Sequence, residues 1–207
     1  QVRRHAMARP NAVMQKGLTL DQYMASRYIV RPLHLFDICI VNDGAVCLIV
    51  RKADMARGLK QVPIDVAGWS YAKIKDNKMD QMVRQQLRPQ MQQARDEAFA
   101  MAGITLDDVQ HFEGYDASSM HLINHVEGFG FTPRGTGFDF CKDGQMTVGG
   151  RIPTNTEGGN LSYAYMQGWS QAAECVRQLR HQAPAHQVPG AGVSLSCMAN
   201  AFGAFER

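Results

Sequence analysis

The sequence lacks the features by which several large classes of protein are recognised. It has only five cysteines in 207 residues, and none has the C-x-x-C spacing of a zinc site or redox pair. No apolar run approaches the roughly 20 residues that a membrane-spanning helix needs. The net charge is only +3, and Lys and Arg are scattered, unlike the basic stripe of a nucleic-acid-binding protein. These absences predict a cytoplasmic protein without disulfides, a membrane span or a nucleic-acid partner.

The common catalytic and metal-binding motifs are also missing. No G-x-G-x-x-G, P-loop or G-x-S-x-G sequence is present. His121 and His125 have the i, i+4 spacing that can seat a metal, but the three residues between them include no carboxylate. The pair is therefore more typical of a helix surface or an interface, and we expect no metal site.

Apolar periodicity and turn residues predict an α/β fold, because strands alternate with helices. The clearest strand is predicted over 37–52, around the turn Asn42-Asp43-Gly44. A long helix is predicted from Met79 to Ala102, kinked near Pro89 and ended by Gly103. The other predicted elements are a short helix after Thr19, a short helix over 53–60, a strand over 62–72, a capped turn over 105–109, a strand over 109–117, a helix over 118–131 ended by Gly128, a helix within 155–180, and two strands within 192–207.

The stretch "NTEGGNLSYAYMQGWSQAAECVRQLR", residues 155–180, is the first that could carry chemistry. Gly158 and Gly159 allow a sharp turn or a close backbone approach before a helix. The N–H groups of a helix N-terminus suit an anion or a thioester oxygen. Tyr165, predicted about two turns inside the helix, could project toward that end. Alternatively, Tyr165 is one of several aromatic residues that pack in the core.

Two further stretches place reactive side chains at the ends of predicted strands. Tyr115 and Asp116 lie where a strand gives way to a helix, the position at which open α/β sheets bind ligands. Tyr115 could transfer a proton, and Asp116 could cap the helix or orient a neighbour. Cys197 in "SLSCMANAFG" is either a reactive thiol near a turn or a buried, inert cysteine.

Taken in order, these stretches resemble the C-terminal half of the thiolase superfamily. The similarity also includes "RRHAMARPNAVM" and "LTLDQYMASRYIVRPLHLFDICIVNDGAVCLIV", and it covers nearly the whole chain. It is strongest to the sterol-carrier-protein type thiolases and to the thiolase-like steroid side-chain aldolases. The resemblance implies a layered α/β sandwich, of which residues 1–35 are a remnant of the connecting loop region and residues 36–207 the C-terminal domain.

The resemblance also implies roles for individual residues. Tyr115 stands where thiolases place the Asn or His of an N-E-A-F or H-D-C-F motif, and Tyr165 where they place the His of G-H-P. Cys197 stands at the acid/base cysteine of C-x-G, although Met198, Ala199 and Asn200 follow it here. The nucleophilic cysteine of a thiolase belongs to the N-terminal half, which this sequence lacks.

Two tyrosines at these positions favour a carbon–carbon lyase that cleaves a β-hydroxyacyl-CoA by retro-aldol chemistry. A phenol with a pKa near 10 is a poor base for activating a cysteine, but it can donate or shuttle a proton. Catalysis is assigned to Tyr115, Tyr165 and Cys197, and binding of the thioester end to Asp116, Gly158 and Gly159. Coenzyme A is expected only as part of the substrate, with no separate cofactor.

Two alternatives remain open: an acetyl-CoA acyltransferase with altered bases, and a non-catalytic acyl-CoA-binding subunit. The resemblance implies a homodimer, and the aldolase relatives suggest a small partner protein with an OB-fold and a zinc ribbon. Half of a sandwich leaves apolar surface uncovered, so we expect that these 207 residues alone do not form a stable monomer.

Overall fold

A computed structural model describes residues 1–56, 58–71, 88–198 and 201–206. The predicted mixed α/β architecture is confirmed. The helices are α1 (Val2–Met7), α2 (Leu20–Met24), α3 (Ala53–Ala56), α4 (Arg88–Ala102), α5 (Ser119–Gly128), α6 (Gly137–Lys142) and α7 (Trp169–Leu179). The strands are β1 (Tyr28–Val30), β2 (Leu33–His34), β3 (Asp65–Tyr71), β4 (His111–Gly114), β5 (Val193–Met198) and β6 (Ala201–Glu206).

Four of these strands form one mixed sheet in the order β3-β6-β5-β4, and β1 and β2 form a separate antiparallel pair. Strand β6 is antiparallel to both β3 and β5, whereas β4 runs parallel to β5 with Gly114 opposite Cys197. Because β4 and β5 are parallel, their carboxyl ends lie side by side. The residues that follow these ends, Tyr115 among them, therefore emerge at one edge of the sheet.

The two faces of β4 and β5 differ in chemistry because successive side chains alternate between them. Phe112, Leu195 and Cys197 point into the apolar core beside α4 and α5. That core is completed by Met91, Ala94, Phe99, Val109, Leu122, Val126, Phe129, Phe131, Met146 and Ile152. On the opposite face, His111 and Glu113 of β4 meet Ser194 of β5 and the residues beneath α7, in a layer that is equally buried but polar.

Helix α4 packs directly on β3. A Cβ at Gly68 would overlap the carbonyl oxygen of Ala98, so only glycine permits this approach of helix and strand. The helix ends before Gly103, whose φ of +69° gives a left-handed C-terminal cap as predicted. Pro89 lies in the first described turn, and the predicted portion over 79–87 lies outside the described residues.

The strand predicted over 37–52 is wrong. Residues 41–52 form neither helix nor strand, and Val41, Ile49 and Val50 are 99%, 87% and 81% exposed. An apolar, β-branched sequence becomes a strand only when a neighbouring strand pairs with it. In this segment the turn Asn42–Gly44 instead contacts the loop that holds Tyr165.

The single helix predicted within residues 155–180 is also wrong. Gly159–Tyr163 form one π-helical turn, and α7 begins only at Trp169. Between them, Ala164 is extended (φ −163°, ψ 140°), and Gln167 and Gly168 have positive φ values of 55° and 92°. Tyr165 therefore lies in a break between two helical segments and not inside a helix.

Residues 1–14 contact the sheet domain, although they were predicted to belong to a connector. The backbone N–H groups of Val13 and Met14 donate to the carbonyls of Tyr163 and Ser162, at 2.9 and 3.0 Å. The boundary at residue 35 stays a prediction. Across the described ranges, no helix has both the length and the apolar character to cross a membrane.

Candidate active site

Tyr115 and Tyr165 meet at the carboxyl edge of the sheet. Their hydroxyl oxygens are 3.0 Å apart, although the two residues are 50 positions apart in sequence. Both side chains are half-buried, so their hydroxyls are held by the protein while the site stays open to a ligand. Two phenols in direct contact can exchange a proton between themselves and with a third group.

Tyr115 is fixed by the end of the parallel strand pair. Its backbone N–H donates to the carbonyl of Cys197 at 2.9 Å, and its ring lies edge-on to His121. Burial, and after it the hydrogen bond with Tyr165, raises the pKa of Tyr115 above its ordinary value. Tyr115 is therefore a neutral hydrogen-bond donor at physiological pH.

Tyr165 is fixed by backbone contacts from separate segments. Its N–H donates to the Oδ1 atom of Asn42 at 2.7 Å, and the next N–H, of Met166, donates to Asn160 Oδ1 at 3.4 Å. The turn at Gln167 and Gly168 then returns the chain to α7. Asn42 and Gln167 were missed as site residues, because no local pattern shows that they reach Tyr165 and Tyr115.

Asp116 does not cap α5, because Ser118 is the N-cap and accepts from the His121 N–H at 3.4 Å. Asp116 is instead fully buried and accepts from the backbone N–H groups of Asn160 and Leu161, at 2.8 and 3.4 Å. The expectation that Asp116 orients a neighbour thus agrees with its contacts. Its carboxylate occupies N–H groups that were expected to face a thioester.

Gly158 and Gly159 are explained by close packing. A Cβ at Gly158 would lie 2.6 Å from the Cβ of Ala6 in α1, and one at Gly159 would overlap a carboxylate oxygen of Asp116. Both glycines also have positive φ, at 117° and 63°. Their predicted contact with substrate stays a prediction.

Two side-chain amides tie the tyrosine-bearing loops together. Asn155 brackets Gly114, accepting from its N–H at 2.7 Å and donating to its carbonyl at 2.9 Å. Gln171 of α7 donates to that same carbonyl at 2.7 Å and to Asp116 at 2.8 Å. The end of β4, the π-helical turn and α7 therefore share one hydrogen-bond network.

The side chain of Cys197 lies in a different environment from the tyrosine hydroxyls. Its thiol is fully buried in the apolar core, and this burial raises its pKa. A neutral thiol among Phe112 and Leu195 behaves as a small apolar side chain. Only the backbone carbonyl of Cys197 reaches the site, through its hydrogen bond with Tyr115.

The histidine pair on α5 was expected on a helix surface or at an interface, but His125 is buried. His121 contacts Ser118 at 2.9 Å, and His125 is buried, which lowers its pKa to about 4. No cluster of three or more His, Cys, Asp or Glu side chains suitable for a metal ion occurs within residues 1–56, 58–71, 88–198 and 201–206.

A buried layer of acids behind the site was not predicted from the sequence. Glu113 Oε1 accepts from the N–H of Thr156 at 2.8 Å and lies 2.8 Å from His111 Nε2. The carboxyl of Glu157 interacts electrostatically with that of Glu113, and both carboxyls are completely buried. Glu174 completes the layer and forms an ion pair with Arg9. Alternation along β4 places Glu113 on the face opposite Phe112, and only the fold shows that this second face is also buried and what Glu113 meets there.

The sequence model of the family described as thiolase C-terminal domain-like matches residues 72–204. The chain belongs to this family. The solved structure of the Ltp2-ChsH2(DUF35) aldolase superposes on 99% of this thiolase C-terminal domain-like chain and 56% of its own, with a TM-score of 0.84 and 27% identity. The thiolase-like fold expected from the resemblance is thus confirmed.

Curated relatives of this thiolase C-terminal domain-like chain include two steroid-cleaving enzymes. The 17-hydroxy-3-oxo-4-pregnene-20-carboxyl-CoA lyase of Mycobacterium tuberculosis is 38% identical over 86% of this chain and 47% of its own length. The steroid side-chain-cleaving aldolase of Thermomonospora curvata is 35% identical over 86% of this chain and 46% of its own length. The chain therefore spans about half the length of these relatives.

Proposed function

We propose that the chain is the C-terminal half of a carbon–carbon lyase that cleaves a β-hydroxyacyl-CoA by a retro-aldol reaction. The observation that carries this proposal is the contact of the Tyr115 and Tyr165 hydroxyls at 3.0 Å. The names of the two curated relatives, a CoA-ester lyase and a side-chain-cleaving aldolase, support the same chemistry.

The reaction needs proton transfer but no covalent nucleophile. The β-hydroxyl loses its proton, and its C–O bond becomes a carbonyl as the Cα–Cβ bond breaks. The electron pair of that bond passes to the CoA thioester as an enolate, and a proton then adds to Cα. The products are a ketone or aldehyde and a shortened acyl-CoA, with no net oxidation or reduction.

The tyrosine pair accounts for both proton transfers. The proton of the β-hydroxyl passes to the Tyr165 oxygen while Tyr165 hands its own proton to Tyr115 along their hydrogen bond, and Tyr115 gives a proton to Cα of the enolate, so that both phenols are neutral before and after the cycle. Tyr115, whose pKa is raised by burial and by the bond with Tyr165, is neutral in the resting site and can therefore supply that proton. Cys197 receives no role in this scheme, because its thiol lies in the apolar core.

The proposed substrate is a thioester of coenzyme A with a lipid or steroid side chain, and no separate cofactor takes part. We also propose a partner protein, supported by the two components in the name of the Ltp2-ChsH2(DUF35) aldolase. A homodimer and a cytoplasmic location belong to the same proposal.

Turnover of a β-hydroxyacyl-CoA by the full natural chain, with any partner it requires, tests the proposal. Tyr115→Phe and Tyr165→Phe should each lower kcat by about 10²- to 10⁴-fold, the usual contribution of a general acid or base. Tyr163→Phe is the matched control, because Tyr163 lies in the adjoining π-helical turn and its ring faces Arg9 rather than the tyrosine pair. The control should keep full activity.

Product analysis separates the alternatives. A lyase forms a ketone or aldehyde without added coenzyme A, whereas an acyltransferase consumes free coenzyme A and a β-ketoacyl-CoA. Full turnover by Tyr165→Phe would refute the role of the pair. Absence of any turnover, with acyl-CoA binding retained, would favour the non-catalytic subunit.

A further inference from the structure

A third side chain reaches the tyrosine pair. The Oε1 atom of Gln167 lies 3.5 Å from the hydroxyl of Tyr115, which is the donor in this contact. Gln167 is exposed and lies in the break before α7, two positions after Tyr165. It thus borders the open side of the site, where a ligand would approach.

The backbone at Gln167 is held in an unfavourable conformation. Its φ of +55° lies in the left-handed region, which L-residues other than glycine adopt at a cost. The adjoining Gly168 also has positive φ, and a Cβ there would lie 3.2 Å from Cα of Met198. The turn therefore packs tightly against the end of β5, and a glycine at position 167 would relieve its strain. The residue at this position is nevertheless glutamine, with a long amide side chain, and not glycine.

The contact with Gln167 determines which tyrosine hydroxyl donates the hydrogen bond between the two phenols. A phenol hydroxyl has one proton to donate, and an amide oxygen can only accept. If Tyr115 donates to Gln167, the bond between the two phenols must be donated by Tyr165. The remaining lone pair of the Tyr165 oxygen then accepts a hydrogen bond from outside.

We propose that Gln167 is a positioning residue that orders the protons of the tyrosine pair, so that Tyr165 accepts the hydrogen bond of the substrate's β-hydroxyl. This inference rests on the proposed function and deepens it. Gln167 acts through Tyr115 and contacts neither breaking bond.

Two substitutions separate the effect of the Gln167 side chain on activity from the effect of its backbone conformation. Gln167→Glu keeps the length and an oxygen acceptor, and should hold kcat/KM within about threefold of the wild type. Gln167→Gly keeps the left-handed backbone and removes the acceptor, and should lower kcat/KM by about 3- to 10-fold, the effect of one net hydrogen bond. Its melting temperature should be unchanged or higher, because the strain is relieved.

His181→Gly is the matched control. His181 also has a left-handed φ, +56°, but it lies at the other end of α7. Its replacement should likewise not lower the melting temperature, and it should leave kcat/KM unchanged. A loss of activity in His181→Gly equal to that in Gln167→Gly would attribute the effect to the backbone and overturn the inference.

A binding experiment tests Gln167 without turnover. S-(3-hydroxyalkyl)-CoA lacks the thioester carbonyl and cannot be cleaved, and S-alkyl-CoA of equal length lacks the hydroxyl as well. Calorimetry should show that the wild type prefers the hydroxylated ligand. Gln167→Gly should reduce this preference about 3- to 10-fold, and Gln167→Glu should retain it.

The two proposals fail in different ways. The preference of the wild type for the hydroxylated ligand is the quantity compared. If Tyr165→Phe abolishes this preference and Gln167→Gly keeps it, the role of Gln167 alone is overturned. Full lyase turnover in Tyr115→Phe and Tyr165→Phe would overturn the proposed function, whatever the binding of the uncleavable ligands shows.

Discussion

The buried pair of Glu113 and Glu157 should make the stability of the fold depend on pH. In the described part of the chain, Glu113 Oε2 and both carboxyl oxygens of Glu157 have no hydrogen-bond partner outside the pair. Two carboxylates repel each other, whereas a carboxylic acid can donate to a carboxylate. We therefore expect the pair to hold at least one proton at neutral pH.

The magnitude follows from the pKa of Glu113, which burial raises from 4.5 to about 8. Burial also raises the pKa of Glu157. A group whose pKa is raised on folding stabilises the fold fully below its unfolded pKa, and this contribution is lost as the pH rises through the folded value. At about 1.4 kcal/mol per pH unit, the contribution of the carboxyl pair to stability should fall by about 2 kcal/mol between pH 6.5 and 8.

Comparison with a variant that lacks both carboxyls isolates the pair from the buried histidines. Burial lowers the pKa values of His111, His125 and His186 to about 4. Their contribution has the opposite sign: an unfolded histidine is still half protonated at pH 6.5, so each of the three adds about 0.4 kcal/mol of stability between pH 6.5 and 8 and loses stability as the pH falls toward 4. A stability profile of the wild type alone would therefore mix the two effects.

The double variant Glu113→Gln/Glu157→Gln should lack this fall, so that the stability of the wild type relative to the variant declines by about 2 kcal/mol between pH 6.5 and 8. Two amides can hydrogen-bond to each other without a titrating proton. Urea denaturation of the full natural chain at fixed ionic strength measures the free energy of unfolding at each pH. The exposed Asp96 provides the control, because Asp96→Asn should keep the wild-type slope.

The reasoning would be refuted if the stability of the wild type, measured relative to that of the double variant, were constant or rising over this window. In either case the shared proton would have to be abandoned, and the unpartnered oxygens of Glu113 and Glu157 would need another explanation.

Two predictions concern the framework of the site. Asn42→Ala removes the acceptor of the Tyr165 N–H and should lower kcat/KM about tenfold with a stability loss of about 1 kcal/mol, measured by steady-state kinetics and urea denaturation. Asn42→Asp keeps the acceptor and should behave like the wild type. Gly159→Ala places a Cβ against Asp116 and should destabilise the fold by more than about 2 kcal/mol in the same denaturation assay. Gly103→Ala has a similarly positive φ but no atom within 4 Å, and should cost less.

The elements near the site were predictable where local signals decide the structure. The strand predicted over 109–117, the helix ended by Gly128 and the final pair of strands were confirmed, because alternation and glycine stops specify them within a few residues. The sheet order and the parallel pairing of β4 with β5 depend on contacts about 80 residues apart, such as His111 with Ser194. No local pattern contains that information.

The errors arose where distant contacts override a local pattern. The apolar run at 41–50 predicts a strand, but among the described residues no strand pairs with it. The apolar stripe across Leu161 and Trp169 predicts one helix, but the left-handed turn at Gln167 and Gly168 interrupts it. Glutamine gives no warning of that conformation, which is stabilised by packing of Gly168 against Met198.

The candidate site was identified from the resemblance more than from periodicity. Aligned motifs placed Tyr115 and Tyr165 at two thiolase positions, and the structure brings their hydroxyls together. The roles of Asp116, Asn42 and Gln167 could not be predicted, because each depends on a backbone atom or hydroxyl far away in sequence. Their catalytic consequences stay predictions.

The side-chain amides of Asn155 and Gln171 both donate to one carbonyl, that of Gly114. They thereby join the two segments that support the tyrosines, the end of β4 before Tyr115 and the loop around Tyr165. A movement of either support is therefore transmitted to the other, and the two phenols should travel as a rigid unit. We expect that substrates of different bulk are accommodated at the open rim, beside Gln167 and Trp169, while the spacing of the hydroxyls stays constant. Substitutions at the rim could then change the range of substrates during evolution, while the tyrosine pair beneath the rim keeps the chemical step unchanged.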